Sequence, residues 1–329
     1  MKLGLVGTGM IVRSIAPHLA SWGIEVGAIA GTPRSHDTTV ELAGEYGASA
    51  HYDDYHELVR DEGIDTVYVG VPNFLHYDVT MAALEAGKDV ICEKPLAANE
   101  REAAELARFA KERGRFLWEA VVTTRQPNFR LIRDELLPRI GAIRMVMVTY
   151  SQYSSRYDAF RAGEVLPAFD PAKAGGAIMD IGLYPLTFTI GLFGEPQQAS
   201  YLPNIQRGID TSGVITLDYG SFKAINVCAK DCGAPSFAQI QGEDGYIRSD
   251  SQPNSCGALT LHLNDGTEEH YDRSLPVMWE GEFREFLRQQ QEGDIEQCYR
   301  ELDTSLLVSR VQNSVRREAG VLFPTDEVE

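Results

Sequence analysis

No apolar run in this 329-residue chain approaches the ~20 residues that a membrane span needs. The start, Met1-Lys2-Leu3-Gly4-Leu5-Val6, has one basic residue and a short apolar run, too little for a signal peptide. Lys2–Val6 reads instead as a buried first strand, and the expected location is cytoplasmic. Cysteine is scarce. Cys92, Cys228, Cys232, Cys256 and Cys298 are scattered and odd in number, which excludes a disulfide framework and suits a reducing compartment. Cys228 and Cys232 have no second pair and no suitably spaced histidines, so no metal site is expected. Positive charge is also short: 30 Lys+Arg stand against 48 Asp+Glu, a formal net charge of −18. Nucleic acid and anionic membrane, which need a basic surface, are not expected partners.

What is present is ordinary globular material, 43% hydrophobic and 24% charged, long enough for two cores. The first ~120 residues alternate strand and helix. Strands are expected at Lys2–Val6, Glu25–Ala30, Thr66–Gly70, Asp89–Cys92 and Phe116–Trp118. Helices are expected at Ile11–Ser21, Thr38–Tyr46, Tyr77–Ala86 and Glu100–Arg113. Gly47, Gly87 and Gly114 are placed to end three of them, and Asn99 to cap the fourth. The pattern changes near Arg125. A helix over Gln126–Leu137 stops at Pro138, a strand spans Arg144–Tyr153, and one helix runs over about Gly176–Leu192. Short strands with turns follow, including the hairpin turn Asn264-Asp265-Gly266, and two helices close the chain. The expected fold is α/β: a Rossmann domain with a parallel sheet over residues 1–122, then an α+β domain with an open, mostly antiparallel sheet over 123–329. The second is expected to bind substrate and dimerise, and its C-terminal helices to be free to pack back on the first.

Gly7-Thr8-Gly9 sits where strand one turns into helix one. The first glycine permits the tight turn; the second lets a pyrophosphate approach the backbone at the helix N-terminus, with Met10 and Ile11 following. Val12 stands at the third fingerprint position, where glycine or alanine is usual. After strand two the chain reads Ala30-Gly31-Thr32-Pro33-Arg34-Ser35, with no acid to bond an NAD ribose. Thr32, Arg34 and Ser35 suit a 2′-phosphate, so NADP(H) is favoured over NAD(H). Pro72, Asn73 and His76 follow the third expected strand, on the edge where ligands bind. Asn73 and His76 are candidates for the ribose or nicotinamide side, with His76 equally readable as a plain helix N-terminal residue.

Glu93-Lys94-Pro95 also follows a sheet strand. A desolvated lysine there can exchange a proton with a hydroxyl or carbonyl oxygen. Asp180 and Tyr184 are four apart on an expected helix and so share one face, and Gly175-Gly176 before them lets a ligand or backbone come close. Tyr153, Tyr157 and Trp279 are candidates for stacking on a sugar, or for core.

Gly7-Thr8-Gly9, Pro72-Asn73-x-x-His76, Glu93-Lys94-Pro95 and Gly175-Gly176-x-x-x-Asp180-x-Gly182-x-Tyr184 together resemble the glucose–fructose oxidoreductase/inositol dehydrogenase family, in the right order over nearly the whole chain. Tyr184, where many relatives have histidine, and Trp118-Glu119-Ala120 look like the branch containing dimeric dihydrodiol dehydrogenases. The resemblance implies an NAD(P)-dependent oxidoreductase, a two-fold dimer through the second sheet, and a role for Lys94 in catalysis or in positioning the reacting carbon, with Asp180 and Tyr184 beside it. The expected reaction moves hydride between nicotinamide and a secondary alcohol or ketone of a sugar, polyol or cyclic diol. Tyr184 would exchange the hydroxyl proton, Lys94 would lower its pKa or share the proton, and Asp180 would hold the lysine or a substrate hydroxyl. The alternatives are a lyase or hydrolase that recycles a bound dinucleotide, and a non-enzymatic dinucleotide sensor.

Overall fold

The computed structural model of the chain describes residues 1–326. Its contacts group into two compact units, one of Met1–Ala120 with Glu282–Leu306, the other of Val121–Gly281 with the residues from Leu307 onward.

The first unit is built on six strands: β1 (Lys2–Val6), β2 (Glu25–Ala30), β3 (Ala50–Tyr52), β4 (Thr66–Val69), β5 (Asp89–Glu93) and β6 (Leu117–Ala120). All neighbours are parallel, in the order β3-β2-β1-β4-β5-β6. The inner strands read as unbroken apolar runs because both faces are covered. The covers are α1 (Met10–Leu19), α2 (His36–Tyr46), α3 (Tyr55–Leu58), α4 (His76–Glu85) and α5 (Glu100–Arg113). Gly47 and Gly114 take the left-handed conformation as C-caps, at φ 71° and 60°, and the Asn99 side chain accepts from Glu102 N at 2.9 Å. β3 and α3 were not expected from sequence; at three and four residues each is too short to show a period. Residues of Glu282–Leu306 complete this core. Phe283 lies against Trp22 and Tyr68, and Gln289 accepts the Trp118 indole N–H at 2.7 Å.

The second unit carries α6 (Pro127–Leu131), β7 (Ile143–Ser151), α7 (Tyr157–Ala162), α8 (Ala177–Asp180), α9 (Leu183–Phe193) and seven more strands: β8 (Gln198–Gln206), β9 (Ile209–Asp218), β10 (Lys223–Ala229), β11 (Phe237–Gly242), β12 (Gly245–Ser249), β13 (Leu259–Leu263) and β14 (Glu268–Tyr271). The sheet order is β14-β13-β12-β11-β7-β10-β9-β8. Every neighbouring pair is antiparallel except β7 with β10, which is parallel with Cys228 beside Tyr150. α9 packs on β7 and β10 and is buried on nearly all sides. The final helices are α10 (Glu280–Glu292) and α11 (Ile295–Glu318).

Two expected helices are interrupted. Over Gln126–Leu137, α6 ends at Leu131 and gives way to a wider π turn over Ile132–Leu136 and a 3₁₀ turn over Leu137–Arg139, where Pro138 supplies no amide. Over Gly176–Leu192, α8 and α9 are separated at Ile181–Gly182, and Pro171–Asp180 is bent 56° from Leu183–Phe193. Gly182 sits so close to Ile178 that a Cβ would lie 2.7 Å from its Cα. No single helix among the described residues is long and apolar enough to cross a membrane.

Candidate functional site

In a parallel sheet all carboxyl ends share one edge, and in the first unit that edge collects every candidate. Gly7-Thr8-Gly9 follows β1, Gly31–Ser35 follow β2, Pro72 and Asn73 follow β4, and Lys94 follows β5. The two glycines of the first loop do different work. Gly7 has φ +117° and a Cβ there would overlap the Gly70 carbonyl, so the fold itself requires glycine. Gly9, the N-cap of α1, has an ordinary φ of −77° and nothing within 4 Å of where its Cβ would be. That cleared space in front of a helix N-terminus fits a pyrophosphate. Val12 is also explained: it is fully buried, and a Cβ on Gly70 would meet its methyl at 2.8 Å. The close helix–strand approach is obtained by a glycine on the strand side.

After β2, a 3₁₀ turn over Pro33–Ser35 is tied by reciprocal bonds: Thr32 N donates to the Ser35 hydroxyl at 2.9 Å, and Ser35 N donates to Thr32 O at 2.8 Å. Arg34 stands exposed in the middle of the turn and makes no hydrogen bond or ion pair among the described residues.

The Lys94 loop is held from several sides. Its peptide bond to Pro95 is cis. Glu119, from β6, accepts from Leu96 N at 2.9 Å. His76 is 1% exposed, with Nδ1 2.7 Å from Pro95 O and Nε2 2.9 Å from Val71 O. Both ring nitrogens thus face backbone carbonyls, and the ring links the loop after β4 to the loop after β5. Burial lowers the His76 pKa, against the two carbonyls. Glu93 is half-buried. Desolvation raises its pKa, opposed by the Tyr68 phenol, which donates to it at 2.6 Å, and by the neighbouring Lys94. Lys94 itself is half-buried.

In the second unit, the single parallel pair brings the ends of β7 and β10 to one edge. Tyr150 belongs to that end of β7, and Lys230 follows β10. Asp180, the last residue of α8, and Tyr184, in the first turn of α9, complete the group. Because the helix breaks between them, Asp180 and Tyr184 are not two positions on one helix face. The Tyr184 ring lies 5.7 Å from that of Tyr150, and Asp180 Oδ2 is 2.7 Å from Lys230 Nζ.

The glycines of this motif accommodate protein. A Cβ on Gly175 would lie 2.6 Å from Pro167 O. Gly176 has φ +107°, and a Cβ there would overlap the carboxylate of Asp210. Asp210 is fully buried and accepts from Ile178 N and from the Tyr201 phenol, each at 2.7 Å, so it caps α8 from across the chain. Burial raises its pKa. Tyr157 is buried among Phe160 and Phe169, whereas Tyr153 is 43% exposed. Lys230, Asp210 and Tyr150 were not singled out from sequence. For Lys230 one signal existed: like Lys94, it follows directly on an apolar strand, Val227-Cys228-Ala229.

A dinucleotide-type turn on a 3-2-1-4-5-6 parallel sheet, joined to a second unit with an open sheet, defines a two-unit dinucleotide-dependent oxidoreductase. The chain belongs to the GFO/IDH/MocA family: residues 1–121 match its oxidoreductase family, NAD-binding Rossmann fold, and residues 138–248 its C-terminal domain. It is 34% identical over 302 residues to the scyllo-inositol 2-dehydrogenase (NADP(+)) IolU of Bacillus subtilis (strain 168), covering 89% of this chain and 90% of the relative. It is 27% identical over 344 residues to the human trans-1,2-dihydrobenzene-1,2-diol dehydrogenase, covering 99% of both. Among solved structures, KijD10, a 3-ketoreductase from Actinomadura kijaniata, in complex with NADP and TDP-benzene, shares the fold at TM-score 0.83 and 22% identity, over 96% of this chain and 97% of that one.

Proposed function

We propose that this protein is an NADP(H)-preferring dehydrogenase that interconverts a secondary alcohol and its ketone on a neutral sugar or polyol. The observation that carries the reading is the carboxyl edge of the first sheet, where the exposed Arg34 turn, the cleared Gly9 turn and the anchored Lys94 loop stand at the ends of β2, β1 and β5. Gly7–Ile11 would hold the pyrophosphate on backbone amides, Arg34 the 2′-phosphate with Thr32 and Ser35 shaping its turn, and Pro72, Asn73 and Glu93 would line the nicotinamide side. His76 serves by fixing the two loops. Bound there, the nicotinamide cofactor supplies hydride-transfer chemistry. The chain's own part is proton handling: in the second unit Tyr184 exchanges the hydroxyl proton and Asp180 holds a substrate hydroxyl, and in the first unit Lys94 is the further proton-exchanging group. The NADP(+)-dependent inositol enzyme at 34% identity and the NADP(+)-dependent D-xylose 1-dehydrogenase of Haloferax volcanii at 28% support both cofactor and substrate class. Few, scattered cysteines without a disulfide framework support a cytoplasmic setting, and an open sheet face supports a homodimer.

The test uses Gly9→Asp. Aspartate is a favourable N-cap, and the position has room, so the variant should melt with wild type. It should nevertheless lose NADP(H) binding in calorimetry, because charge and bulk enter the pyrophosphate space. Undiminished binding by the folded variant would place the cofactor elsewhere.

A further inference from the structure

The second unit contains an ion pair of unequal depth. Lys230 is 3% exposed, Asp180 39%. Besides its 2.7 Å contact with Asp180, the Lys230 ammonium donates to Ala168 O at 3.1 Å and lies 4.8 Å from the centre of the Phe169 ring. Its backbone is fixed on both sides: Lys230 N donates to Thr211 O at 2.9 Å, and Ser154 N donates to Lys230 O at 2.9 Å. The other nearby buried carboxylate, Asp210, is engaged by Ile178 N and Tyr201. The cation is thus rigid and desolvated. The carboxylate ends a four-residue helix just before a break.

A buried ammonium is costly without a partner, and a pair is retained where it fixes geometry. An ion pair that served stability alone gains nothing by leaving its anion two-fifths exposed at the edge where Tyr184 sits. We propose that Lys230 is a positioning residue. It holds one carboxylate oxygen of Asp180 so that the group stays aimed at a substrate hydroxyl. The inference rests on the dehydrogenase reading above, and it adds a residue that the sequence motifs do not contain.

The test is a double-mutant cycle of Lys230→Met and Asp180→Asn, with Lys230→Arg as the charge-keeping variant, assayed with scyllo-inositol and NADP(+). Lys230→Met should lower kcat/KM for scyllo-inositol about 10- to 100-fold, chiefly through KM, and leave the Kd for NADP(+) within about two-fold. Lys230→Arg should recover part of that loss. In the Asp180→Asn background, Lys230→Met should cost less than about two-fold more, because the residues act as one unit. Losses that multiply independently, or a folded Lys230→Met with wild-type KM, would overturn the positioning role. If Lys230→Met does not fold, Lys230→Arg decides: a kcat/KM as low as that of Asp180→Asn overturns the role, and a clearly higher one supports it. A wild-type protein that binds no NADP(+) and oxidises neither scyllo-inositol nor D-xylose overturns the dehydrogenase reading and this role with it. An active wild type with additive losses overturns the role of Lys230 alone.

Discussion

On the proposed reading, cofactor choice turns on Arg34. It is exposed and unengaged among the described residues, so Arg34→Ala should leave stability within about 0.5 kcal/mol. A charge-assisted bond to a 2′-phosphate contributes about 1.5–3 kcal/mol. The same variant should therefore weaken NADPH about 10- to 100-fold and leave NADH nearly unchanged in fluorescence titrations; equal losses would show that Arg34 does not read the phosphate. Lys94→Met and Tyr184→Phe should each lower turnover by about 10²–10⁴ while sparing cofactor binding. Wild-type turnover by Tyr184→Phe would move the proton transfer to Lys94 or water. At this scale the sequence shows residues that sit in local motifs: Gly7, Gly9, Lys94 and Tyr184 are visible because short-range spacing marks them. It hides residues whose meaning lies in a distant partner. Lys230 matters through Asp180, Glu119 through the amide of Leu96, and His76 through two carbonyls that no periodicity reveals.

Between residues and fold stand the elements, and their ends were legible where a cap marks them. Asn99 and Gly114 bound α5 where the sequence places them, and β1 and β2 begin and end as read. Asn99→Ala should cost about 1 kcal/mol in denaturant unfolding, because one helix amide loses its acceptor. The α8–α9 break was not legible. Gly175 and Gly176 can be read as room for a ligand or for backbone, and they make room for protein, Pro167 O and Asp210, while Gly182 lies against Ile178. Gly176→Ala combines a left-handed φ with overlap onto Asp210, so it should cost about 1–3 kcal/mol or more. It should also disturb the capping of α8 that places Asp180. The expected result is a lower midpoint together with weaker turnover; an alanine variant with wild-type stability would show that the chain relaxes there at no cost.

At the scale of the whole molecule, the question is what the second sheet does with its other face. Along β7, Val146, Val148 and Tyr150 are buried on the side that α9 covers, while Met145, Met147 and Thr149 alternate with them and stay partly exposed. β10 repeats this with Ile225 and Val227, and β9 with Val214 and Thr216. Register brings these together: Met147 pairs with Ile225, and Ile225 with Thr216. A cavity of about 380 Å³ opens nearby, bordered by Met145, Ser200, Thr216 and Ile225. The proposed homodimer would cover this strip, with a two-fold copy of the same sheet as the simplest complement. The protein should therefore scatter light as a dimer at micromolar concentration, and its melting temperature should rise with concentration. Ile225→Lys places a charge in the centre of the strip on a residue the monomer core does not need, so it should favour the monomer without unfolding it. A wild-type mass near 36.4 kDa would exclude a stable dimer. A dimer that Ile225→Lys leaves intact would move the interface off this face.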